Sequence, residues 1–92
     1  MIRSIRHKGL KRLYENDDAR GLIAAHAEKL RDNLARLDSA SILVDMDLPG
    51  FHLHALKSER RGFGTVTVRA NWRVIFRFED GERLDIDYMD YH

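Results

Sequence analysis

The amino-acid sequence predicts an α+β fold: an N-terminal strand, two helices, then a curved antiparallel sheet. Three observations carry this. Ile23, Ala27, Leu30, Leu34 and Leu37 recur at +4, +3, +4 and +3, the spacing of a helix with one buried stripe. The second half alternates apolar and polar residues in four short stretches, the period of half-buried strands. Turn signals at Asp47-Leu48-Pro49-Gly50, Ala70-Asn71 and Asp80-Gly81 punctuate those stretches. A chain of 92 residues is expected to form a single domain over 1–92.

Taken in order, Ile2-Arg3-Ser4-Ile5-Arg6 alternates and reads as a short strand. Lys8 to Glu15 reads as helix, with Leu10, Leu13 and Tyr14 at helical spacing, and Asn16-Asp17-Asp18 ends it. A second helix runs from Leu22 to near 38–41. Ile42-Leu43-Val44 fits either a strand or a buried turn. Phe51 to Leu56 then places Phe51, Leu53 and Ala55 on one face and His52, His54 and Leu56 on the other. Gly64 to Arg69 sets Val66 and Val68 against Thr65 and Thr67. Trp72 to Phe78 points Trp72, Val74, Phe76 and Phe78 inward, with Arg73, Ile75 and Arg77 outward. Leu84 to Tyr88 points Leu84, Ile86 and Tyr88 inward. A plain two-residue loop at Asp80-Gly81 would set Phe76 opposite Asp85. A bulge at Gly81 sets Phe76 opposite Ile86 and Arg77 opposite Asp85, and the buried face favours that register. The helices cover one sheet face, and the other is left for solvent or a ligand.

Composition narrows the chemistry. The absence of cysteine excludes disulfides, thiolate catalysis and zinc–thiolate sites. Nothing approaches the ~18 consecutive apolar residues of a membrane span. The start, MIRSIRHKGLKRLYEND, builds no apolar signal segment, so a cytoplasmic location is expected. Net charge is +1 but unevenly spread. Residues 1–36 carry nine Lys/Arg against five Asp/Glu, and residues 51–77 six against one. Residues 37–50 carry three acids and no base, and residues 78–92 six acids and one base. That pattern predicts a localised positive patch that attracts phosphate, without general affinity for nucleic acid.

The groups able to do chemistry gather on the open face and the C-terminus: His54, Lys57, Arg73, Asp90, Tyr91 and His92, with Arg60, Arg61 and Arg77 nearby in sequence. Cleaving RNA by internal attack needs a base for the 2′-OH proton, cations for the phosphate and an acid for the departing 5′ oxygen. His and Asp serve the first and last roles, and Lys and Arg the second. No metal or other cofactor is needed. Each residue also has a plainer reading. His26 and His52 read as surface side chains, and Lys57, Arg60 and Arg61 as a solvated loop. Arg73 and Arg77 could pair with Asp85 and Asp87, and Asp90-Tyr91-His92 could be a frayed end. His52, His54 and His92 fit no established zinc spacing.

Four stretches together resemble the HigB toxins of the RelE/ParE superfamily of toxin–antitoxin systems. They are MIRSIRHKGLKRLYE, LPGFHLHALK, ANWRVIFRFEDG and the ending LDIDYMDYH. The resemblance covers essentially the whole chain, in order. It implies a RelE-like microbial-RNase fold and ribosome-dependent cleavage of mRNA in the A site. By position it places the active-site residues on His54, Lys57, Arg73, Asp90, Tyr91 and His92. The family's usual HPLKG is here His54-Ala55-Leu56-Lys57-Ser58, and loss of the proline loosens the strand end before Lys57. The implied partners are mRNA and rRNA on the ribosome and a HigA-like helix-turn-helix antitoxin. DNA is reached only through the antitoxin complex, and no membrane is involved. The alternative within the superfamily is a ParE-like, non-nucleolytic inhibitor of DNA gyrase, because a shared fold does not fix function.

Overall fold

The computed structural model describes residues 2–56 and 62–90. Two helices, α1 (Lys8–Asn16) and α2 (Ala27–Ser39), pack on one face of a four-stranded antiparallel sheet. Its strands are β1 (His54–Ala55), β2 (Phe63–Arg69), β3 (Trp72–Glu79) and β4 (Glu82–Asp90), in sequential order. The expected N-terminal strand lies parallel to β4. It joins β4 through two isolated bridges, Ile2 to Arg83 and Ile5 to Ile86. The amides of Arg3 and Arg6 donate to the carbonyls of Arg83 and Ile86 at 2.8 and 2.7 Å. This covers an edge that would otherwise present unpaired backbone groups.

The core forms where the helix stripe meets the inner sheet face. Leu10, Leu13, Leu30, Leu34 and Leu37 pack with Val66, Val68, Val74, Phe76, Ile86 and Tyr88. Helix α1 starts on His7, whose Nδ1 accepts the Leu10 amide at 3.1 Å. It ends at Asp17, which takes a left-handed conformation. Gly9 lets the later chain pass close by: a Cβ there would lie 2.7 Å from the Gly21 carbonyl oxygen.

The expected second helix begins later than its periodicity suggested. A 3-10 turn at Ala24–His26 precedes α2, so Ile23 lies outside the helical register and is 42% exposed. His26 takes the buried place instead. The sequence 39–50 makes a 3-10 turn at Leu43–Met46, with Met46 buried and Ile42 and Val44 exposed. The predicted strand over Phe51–Leu56 contracts to His54–Ala55, because His52 sits at φ 52° and breaks the extended run.

The last hairpin corrects the predicted register. Its turn is the plain two-residue one, with Glu79 paired to Glu82. Asp80 and Gly81 both have positive φ, 52° and 79°, as the turn matching strand twist requires. The extra residue enters further along. Ile75 pairs with Asp87 and Arg77 with Leu84, so two residues of β4 face Phe76, and Asp85 bulges at φ 57°. Ser4 holds the bulge, its hydroxyl accepting the Asp85 amide at 2.9 Å. The core requirement behind the prediction is met, since Phe76 and Ile86 are both fully buried. Before the bulge, however, alternation is inverted. Arg83 points inward where Leu84 was expected, and its guanidinium donates to the carbonyls of Leu37, Asp38 and Gly81 at 2.9, 2.9 and 3.0 Å.

Candidate functional site

The open sheet face is built from rows of paired residues whose side chains leave the same side. One row runs His54, Thr65, Ile75, Asp87, and the next runs Thr67, Arg73, Met89. His54 and Arg73 therefore share the face that the sequence predicted for them. They are separated by two strand spacings, roughly 10 Å across the sheet. His54 is exposed on the short strand β1. Arg73 is held at the β2–β3 turn, donating to the carbonyls of Ala70 and Trp72 at 2.6 and 3.1 Å. Its guanidinium is thus anchored by neutral acceptors and keeps its charge for an incoming anion.

Asp90 pairs with Trp72 at the far end of β4. Its Cβ parity is that of Trp72, Val74 and Tyr88, so it leaves the sheet opposite to Arg73 and lies at the rim. Lys57, Tyr91 and His92, with Arg60 and Arg61, lie outside the described residues. His52 is exposed and outside the strand ladder. Arg77 follows its plainer reading: Nη2 lies 2.9 Å from Asp85 and a second contact reaches Glu79. The Asp85 hydrogen bond raises the Arg77 pKa further, so this cation is committed to the hairpin. Arg73 does not pair with Asp87 in the same way, and among the described residues its hydrogen bonds go to backbone carbonyls.

Two features escaped the sequence reading. The first is His26, which is 5% exposed. It hydrogen-bonds the Tyr88 hydroxyl and sits edge-on to Trp72 at 5.7 Å. Trp72 and Tyr88 are themselves 4.8 Å apart, and burial raises the Tyr88 pKa. This cluster backs the end of the sheet that carries Arg73 and Asp90. The local signal was only partial: His26 lies four residues before Leu30, in the 3-10 turn that leads into α2. The second is a groove of about 220 Å³ on the open face, lined by Arg6, Phe63, Ile75, Asp85, Asp87 and Met89. Ile75 at an outward position was its only sequence sign.

Comparison with known proteins agrees with the fold. Residues 3–92 match the family described as the RelE-like toxin of type II toxin–antitoxin system HigB. The chain is 39% identical over 92 residues to the Endoribonuclease HigB of Proteus vulgaris, with all of both chains covered. It is 31% identical over 94 residues to Toxin HigB-1 of Vibrio cholerae serotype O1, covering this whole chain and 98% of that one.

Proposed function

The chain belongs to the HigB family of RelE-like toxins of type II toxin–antitoxin systems, and from that membership we propose that it is an endoribonuclease acting on ribosome-bound mRNA in the A site. The single observation that best supports this reading is end-to-end similarity to a relative named as an endoribonuclease. The placement of His54 and Arg73 on one open sheet face is consistent with it.

In the proposed reaction the substrate supplies its own nucleophile and no metal is called on. A base drawn from His54, Asp90 and His92 removes the 2′-OH proton. The freed oxygen attacks the adjacent phosphorus, and the bond to the 5′ oxygen breaks. An acid from the same set protonates that leaving oxygen. Arg73 and Lys57 offset the charge that builds on the non-bridging oxygens, and Tyr91 stacks on a base. The products are a 2′,3′-cyclic phosphate and a 5′-hydroxyl. The ribosome supplies positioning that a chain of net charge +1 does not provide alone. A HigA-like antitoxin restrains the activity in the cytoplasm.

Expression of the chain alone in a bacterium tests the reading. Growth and protein synthesis should stop, new mRNA ends should map to A-site codons, and a co-expressed cognate antitoxin should restore growth. Undiminished growth with abundant folded protein, or inhibited gyrase supercoiling with intact mRNA, contradicts it.

A further inference from the structure

The groove beside Arg73 has the chemistry of a base-reading site. Its apolar side consists of Phe63, Ile75 and Met89, which suits the flat face of a nucleobase. Its two carboxylates are not equivalent. Asp85 accepts from Arg77 at 2.9–3.0 Å and lies 3.7 Å from Arg6, so its charge is compensated. Asp87 has no ion pair among the described residues. One oxygen accepts the Tyr88 amide at 2.9 Å, and its remaining acceptor capacity can serve a ligand. Arg77 also lies 5.7 Å from the Phe63 ring centre, so one cation fixes both the Phe63 and Asp85 walls.

Polarity sets the direction of a bound nucleotide. Met89 lines the groove and pairs directly with Arg73, so Arg73 stands just past one end of the groove, with its guanidinium on the Ala70 and Trp72 carbonyls. Asp87 repels phosphate but accepts N–H donors, as carboxylates do from amino-bearing base edges. We propose that the groove is a nucleobase subsite for a base with an exocyclic amino group, its N–H donated to Asp87 while Arg73 holds the neighbouring phosphate. This rests on the nuclease reading and adds a basis for sequence preference to it. Uracil, with a carbonyl where cytosine has its amino group, is disfavoured there.

The test uses wild-type protein and ribosome-bound mRNAs carrying adenosine or nebularine, the purine nucleoside without the amino group, at either position flanking the cut. The expected result is cleavage roughly ten- to a hundredfold slower with nebularine at one of the two positions. Asp87→Ala should shrink that ratio to within about twofold, with its melting temperature recorded as a check on folding. Equal rates for the two nucleosides at both positions overturn the proposal, as does full discrimination by folded Asp87→Ala. Anisotropy titrations with short RNAs carrying the same pair, which need no cleavage, separate this proposal from the nuclease reading. Tighter binding of the adenosine RNA supports the groove even if nothing is cut, and equal binding overturns it.

Discussion

Arg83 and Asn33 show how differently one core treats two polar side chains. Arg83 is 7% exposed and donates to the last carbonyls of α2 and to the Gly81 turn, doing the work of a C-terminal cap. Its replacement by Met should cost about 2–3 kcal/mol in urea unfolding, because buried carbonyls lose charged donors. Arg83→Lys should recover little, since one ammonium cannot span three acceptors. Asn33 is fully buried on α2, and among the described residues neither side-chain polar atom has a hydrogen-bond partner. Leu has the same branching at Cγ, so Asn33→Leu should raise stability by about 1 kcal/mol by removing an unmet polar group. An unfolding midpoint that falls would show that the amide does have a partner in solution.

At the scale of elements, surface carboxylates tie together short segments that packing alone leaves loose. The Arg20 side chain and backbone hold Asp18 down to about 2. The Tyr14 hydroxyl lowers Asp38, and the Ser41 and Ile42 amides lower Asp45. Each pKa falls below its ordinary value of 3.8, so the unfolded chain binds more protons in that window. The associated stability is present above about pH 4 and is lost as pH falls towards 2. Melting temperature should therefore decline over that range, and less steeply in Asp45→Asn. A flat profile contradicts the assignment. The strongest local element is the apolar stripe of α2. Leu30→Ala should cost about 2–5 kcal/mol through the cavity it leaves, whereas Arg73→Ala should melt within a few degrees of wild type.

The same elements show what could be read from sequence. The α2 stripe from Leu30 onward, the alternation of β2 and β3 and the position of the Asp80-Gly81 turn are local signals, and each stands in the structure. The bulge at Asp85 was placed at Gly81 because alternation demands an extra residue without saying where. Its position is set by Ser4 and the N-terminal segment, a contact between distant parts of the chain. For the same reason Leu84 was read as core, and the inward place of Arg83 was not anticipated. Burial of His26 depends on a hydrogen bond to Tyr88, again far off in sequence. Within the site, strand parity was enough to bring His54 and Arg73 to one face, but the groove needs three strands and Arg6 together.

Across the whole molecule, the charge blocks read from the sequence meet and partly cancel. The basic run ending at Arg77 folds onto the acidic run of β4, and Arg3 and Arg6 approach Glu82 and Asp85. The outer pairs add little stability, and among the described residues Arg73 bonds only to backbone carbonyls. This asymmetry is what the proposed reaction uses: one end of the face is suited to a phosphate, the other to a base. Arg73→Ala and Lys57→Ala should each weaken cleavage by at least about a hundredfold while folding persists, as should removal of Tyr91 and His92. The most direct measurement compares two ribosome-bound mRNAs that differ only in the sugar 5′ to the cut. With the native ribose, the account predicts cleavage to a 2′,3′-cyclic phosphate. With 2′-deoxyribose it predicts binding without cleavage, and cutting of the deoxy substrate at the native rate would contradict it.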